Sequence, residues 1–104
     1  MQSNLARLNA VTLTYNPGSI AANTVAADSA LTIVGVRAGD IVIAAIKPTV
    51  SAGLGVVGAR VSGDNTVLVT FVNATAAPID PGSEVWTFVI ATPDPGMLPS
   101  QTVN

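Results

Sequence analysis

The chain has 104 residues, 49% of them hydrophobic and 10% charged, a net charge of −2, and neither His nor Cys. That inventory removes disulfides and thiol chemistry. It also leaves little for acid–base catalysis, nucleophilic catalysis or tight metal binding, which draw on His, Cys and clustered carboxylates. The four basic residues Arg7, Arg37, Lys47 and Arg60 are scattered and make no patch for a phosphate backbone, which argues against nucleic acid or an anionic membrane as partner.

Residues 1–10 carry little pattern and read as an N-terminal arm. Val11 to Tyr15 alternates strictly, with Val11, Leu13 and Tyr15 on one face and two Thr on the other, until Asn16-Pro17-Gly18 breaks the strand. Tyr15, at the strand end before a turn, is expected to be partly exposed. Between Ser19 and Asp28 the residues Ala21, Ala22, Ala26 and Ala27 favour helix, while Thr24-Val25 and the flanking turns favour a short strand or an irregular segment; both stay open. Ala30 to Val34 alternates again up to Gly35. Asp40 to Ile46 is apolar on both faces, the pattern expected of a central strand covered on either side, and Lys47-Pro48 ends it.

In the second half, Val56 to Ser62 and Thr66 to Asn73 flank Gly63-Asp64-Asn65, a strong hairpin signal. Ala74 to Ser83 is a long connection holding Pro78 and Asp80-Pro81-Gly82. Glu84 to Ala91 is the last strand, with Trp86, Phe88 and Ile90 sharing a face. From Thr92 onward the prolines 93, 95 and 99 cannot sustain a ladder, so residues 92–104 read as a Pro-rich C-terminal arm whose Met97, Leu98 and Val103 suit docking on a neighbour. These elements predict an all-β fold over residues 11–91, an antiparallel β-sandwich or small β-barrel (Ig-like or jelly-roll-like) with extended termini.

The charged fraction bears on the surface as well. A free domain usually keeps roughly a quarter of its residues charged. Here Thr, Ser and Asn side chains, together with burial against other subunits, are expected to shield the surface, so the chain reads as a homo-oligomer or part of an assembly. The longest apolar run, Ile41 to Ile46, is far short of the roughly 20 residues of a spanning helix. Met1 to Arg7 lacks the basic region and apolar stretch of a signal peptide.

Several constellations fail on context. Gly53-Leu54-Gly55-Val56-Val57-Gly58 spells the dinucleotide fingerprint, but that motif must close a strand and open a helix whose N-terminus receives the pyrophosphate. Here it runs into a strand pattern, so the glycines are expected to let a loop turn tightly or to let backbone lie against another chain. Asp80, Glu84 and Asp94 are too sparse for a calcium loop and have no polar, aromatic cleft for hydrolysis. Trp86 and Tyr15 are the only rings able to stack on a sugar or base, and Trp86 shares its face with Phe88 and Ile90, which favours the core. The sequon Asn73-Ala74-Thr75 is a chance-level match. No residue is assigned a catalytic, cofactor-binding or metal-binding role.

Lys47-Pro48-Thr49, Ala52 to Ser62, Asn65-Thr66-Val67 and Thr70 to Thr75 together resemble a small β-rich protein of tailed-bacteriophage virions, most similar to capsid decoration (cement) proteins. The resemblance covers residues 11–91 and is turn-based and compositional. It implies a non-enzymatic protein on the outer capsid surface of the virion. There it would bind the major capsid protein as a homo-oligomer, a trimer in preference with a dimer as the alternative, bridging capsomers. Shell contact would then fall to the termini and the Ala74 to Gly82 loop. The alternative is a tail-fibre, baseplate or receptor-binding module of a phage, which the scarcity of aromatic residues disfavours.

Overall fold

The structure is a computed structural model that describes residues 5–93. Six strands, β1 (Leu5–Tyr15), β2 (Thr24–Thr32), β3 (Ile41–Ile46), β4 (Leu54–Gly63), β5 (Thr66–Asn73) and β6 (Glu84–Pro93), form two three-stranded antiparallel sheets. The first has the order β1-β6-β3, the second β2-β5-β4. Among the described residues there is no helix, and the segment Ser19–Asp28 resolves into a turn followed by the start of β2. The two sheets remain separate, so the fold is a sandwich, not a closed barrel.

The central strands β5 and β6 make the core because only they are flanked on both sides. β5 alternates without fault, and Val67, Val69 and Phe71 are fully buried. Trp86 and Phe88 of β6 are equally buried, and Phe71 meets Trp86 edge-on at 6.0 Å across the sandwich. The expected shared face of Trp86, Phe88 and Ile90 is therefore the inner one. Trp86 lies parallel to Phe88 at 5.9 Å, and its buried Nε1 has no hydrogen-bond acceptor among the described residues. Tyr15 differs from expectation: it is only 5% exposed. Its ring packs edge-on against Trp86 at 5.1 Å, and its hydroxyl donates to the Ser29 carbonyl at 3.2 Å, so the strand end is roofed by the opposite sheet.

β1 begins earlier than its sequence suggests. Its ladder with β6 runs from Leu5 opposite Pro93 to Tyr15 opposite Glu84, so Leu5–Ala10 of the expected arm is strand, as are Thr92 and Pro93. The inward phase of β1 is Arg7, Asn9, Val11, Leu13 and Tyr15, and the outward phase is Leu8, Ala10, Thr12 and Thr14. Polarity changes phase near Ala10, which hides the alternation from a reading of the sequence. The rest of the expected C-terminal arm, 94–104, lies outside the described residues.

β3 requires the larger correction. It is an edge strand, not a central one, and Ile41, Ile43 and Ile46 are each more than half exposed. A bulge at Ile43, between Val42 opposite Ile90 and Ala44 opposite Val89, turns Ile43 and Ala44 to the same outer side. Only Val42 and Ala45 pack on the core.

The expected hairpin is β4–β5, with Gly63 opposite Thr66 across the Asp64-Asn65 turn. Asn65 takes the left-handed conformation at φ 60°, which Asn tolerates better than most residues. Its tip is clamped under the 33–40 loop: Gly35 N–H donates to Asn65 Oδ1 at 2.8 Å and Ala38 N–H to Asp64 Oδ1 at 2.9 Å.

Candidate interaction surfaces

The ladder registers assign the outward side chains of the first sheet. Leu8, Ala91 and Ile41 form one row across the three strands, Ala10, Val89 and Ala44 the next, and Thr12, Thr87 and Ile46 the third. Ile43 at the bulge is 57% exposed, Leu8 59% and Val85 58%. No charged side chain occurs among the described outward positions of this sheet. With strands about 4.8 Å apart and a rise of about 3.4 Å per residue, the face covers on the order of 400 Å². That is a size at which an apolar patch on a monomer is often functional.

The outer face of the second sheet is built differently. Arg60 on β4 reaches over β5 to Asp28 on β2, with Nη2 at 2.8 Å from Oδ2, and Thr70 on β5 donates to Asp28 Oδ1 at 2.6 Å. The Arg60 guanidinium, and after it the Thr70 hydroxyl, hold the Asp28 carboxyl below the usual carboxylate range, and Asp28 in turn raises Arg60. Thr32, Thr66, Gly55 and Gly58 share this face with Ala30, Leu68 and Val72, and Val57 at the β4 bulge is exposed, so the surface is mixed and is distinguished by the ion pair that crosses it.

The ends of the sandwich are braced. Lys47 Nζ lies 2.7 Å from Glu84 Oε1 and donates to the Thr49 carbonyl at 2.7 Å, while the Thr49 hydroxyl donates to Glu84 Oε2. Glu84 is thereby a clasp that fixes the turn after β3 to the start of β6, and Lys47 followed by Thr49 lower its pKa. Asn73 is 1% exposed and cannot serve as a glycosylation acceptor in the folded chain. Its Nδ2 donates to the carbonyls of Ile20 at 3.1 Å and Ala77 at 3.0 Å, and its Oδ1 accepts from the Thr75 backbone N–H at 2.9 Å and the Thr75 hydroxyl at 2.8 Å. The Ala74–Gly82 loop expected to reach a partner is thus pinned at its base, with Ala76, Ala77 and Pro78 exposed at its tip.

Gly53 sits at φ +83° against this loop, where a Cβ would collide with Thr75 Cγ2, and its carbonyl accepts from Ala74 N–H at 2.9 Å. The close approach is within the chain itself, and Gly53 leads into strand β4, not into a helix that could receive phosphates. Asp80 accepts from Gly82 N–H at 3.0 Å as a turn acid, Asp94 lies outside the described residues, and no group of three metal-ligating side chains occurs among the described residues. Trp86 is core, so neither it nor Tyr15 offers a stacking surface.

A cavity of about 160 Å³ opens at the opposite end, between the inner sides of Arg7, Asn9, Ile90 and Thr92 and the loop bearing Ile33, Val36 and Asp40. It falls below the roughly 300–1,000 Å³ of small-molecule pockets. Asp40 is engaged there, accepting from Arg37 N–H at 3.0 Å.

Sequence reasoning misses the outer face of the first sheet. The signal is present in β3 and β6, which are apolar in both phases, but the same pattern is expected of strands covered on both sides. No protein-family model, curated protein or solved structure matches the chain.

Proposed function

We propose that this chain is a non-enzymatic structural protein that attaches to a larger protein shell through the outer face of its first sheet. The capsid decoration proteins of tailed bacteriophages, which its sequence resembles, are the kind of component meant. The observation that carries the reading is the uncharged, apolar outer face of β1-β6-β3, set on a rigid sandwich whose ends are clasped by side-chain hydrogen bonds. Apolar contact is non-directional and scales with area, so a flat sheet face of this size adds modest affinity per copy, which repetition over a shell multiplies. The reading supports attachment by the sheet face first, with the exposed tip of the Ala74–Gly82 loop as a secondary contact.

The deciding experiment is the copy number of the chain in purified particles of its source, by quantitative mass spectrometry. A count comparable to the main shell protein is the expected result. A few copies per particle would move the protein to the tail, as a fibre, baseplate or receptor-binding module, and absence would remove the virion reading.

A further inference from the structure

A sandwich of two three-stranded sheets has four edge strands, and three of these are blunted against pairing with another chain. β2 is bulged between Thr24 and Ala27 and carries Asp28 in its cross-sheet ion pair. β3 spans six residues, is bulged at Ile43 and ends at Lys47-Pro48. β4 is bulged twice, between Val56 and Gly58 and between Val61 and Gly63, carries Arg60, and runs beside β3. β1 has none of these devices beyond its first residues. From Arg7 to Tyr15 its register against β6 is unbroken, it contains no proline, and Arg7 is its only charged residue. The outward side chains Leu8, Ala10, Thr12 and Thr14 beside that edge are exposed, and no described segment pairs with it.

We infer that the β1 edge pairs antiparallel with β1 of a second copy about a two-fold axis at Val11, joining two sheets into one of order β3-β6-β1-β1-β6-β3. Unsatisfied backbone donors and acceptors along a regular strand call for another strand, and the strand that fits here is its own copy. Centred on Val11, the midpoint of the regular stretch, the pairing sets Arg7 opposite Tyr15, Leu8 opposite Thr14, Asn9 opposite Leu13 and Ala10 opposite Thr12. The single charge of the strand never meets its copy, so no like-charge opposition resists a symmetric pair. The two apolar outer faces become one continuous surface of twice the width. The inference rests on the edge strands alone and stands whether or not the chain attaches to a shell.

The pairing is about 30 Å long and covers on the order of 300 Å² per partner, well under the size of a stable interface, so only a weak dimer, dissociating in the micromolar range or above, is expected. Sedimentation equilibrium of the full chain from about 1 to about 200 μM, spanning that range, is the test. The expected mass rises from one chain to two. Thr12→Lys, which sets two ammonium groups beside the axis, should hold the protein monomeric at every concentration with its thermal transition kept. Ala10→Glu repeats the test should Thr12→Lys fail to fold. In this Cys-free chain Val11→Cys should give a single oxidised dimer, since directly opposed residues lie within disulfide range, whereas Thr32→Cys on the second sheet should not. A monomer or trimer throughout, a dimer indifferent to both charged substitutions, or a dimer that Val11→Cys does not cross-link would overturn the inference.

Discussion

The two sheets of this sandwich have the same strand count and the same plan, a central strand with one neighbour on each side, and they differ on the faces they turn outward. The second sheet ties its outer face together with Arg60, Thr70 and Asp28, one residue from each strand. The first offers Leu8, Ile41, Ile43, Ile46 and Val85 with only Ala, Val and Thr side chains between them. A charged side chain across a solvated face keeps a surface single and soluble, whereas an uncharged apolar face gains by being covered. The contrast therefore separates a face tied by charge from a face that would gain by being covered.

The largest effect should come from breaking what holds both faces in place. Trp86→Ala removes the ring that contacts Tyr15, Phe71 and Phe88, and is expected to cost about 3–5 kcal/mol of stability in denaturant unfolding. Trp86→Phe should cost clearly less, because it keeps most of the packing and deletes an indole N–H that has no acceptor among the described residues. Equal losses for the two variants would mean that the N–H has a partner in solution. Asn73→Ala comes next, at about 1–3 kcal/mol, since it removes the amide's hydrogen bonds to the Ile20 and Ala77 carbonyls and from Thr75 and so frees the base of the Ala74–Gly82 loop.

Charge placed on the first face sharpens the contrast directly. Ile43→Lys with Ile46→Lys should leave the melting temperature nearly unchanged, as both side chains are already more than half exposed, yet weaken co-sedimentation with shells at least about tenfold. Thr32→Lys on the second face should leave attachment as it was. An equal loss from both variants would erase the distinction between the faces.

How much of this is legible in the sequence depends on which features leave a local trace. The core strand Glu84–Ala91 and the hairpin about Asp64-Asn65 are readable because alternation and turn chemistry are local. Edge or centre is not local. Ile41–Ile46 is apolar in both phases whether a neighbour covers it or not, and only the pairing of β6 with β1 on its far side leaves β3 at the edge. The buried Tyr15 is likewise invisible, since its roof comes from Ser29 on the opposite sheet. The role of Asn73 depends on Ile20, distant in sequence and adjacent only through the fold.

Acid should distinguish the clasped parts from the rest. Asp28 and Glu84 both have lowered pKa values in the folded chain, through Arg60 and Lys47 respectively. Unfolding therefore takes up protons, so their stabilisation is intact above the unfolded value near 4 and is lost as pH falls through the folded values. Tyr15 has the opposite sign: burial raises it, so its contribution holds below about pH 10 and is lost above. Melting curves from neutral to acid pH should decline only at the acid end, and Asp28→Asn should flatten part of that decline.

The smallest effect belongs to Arg60→Ala. The pair it breaks is exposed, with side chains 56% and 42% accessible, and exposed pairs contribute little and are screened by salt. A slight fall in melting temperature at low salt that vanishes at high salt is the expected outcome, with attachment to shells unchanged. Release of the protein from its shells by this one substitution, with the fold intact, would instead make the polar face the docking side. The apolar face of β1-β6-β3 would then be left for contacts between copies.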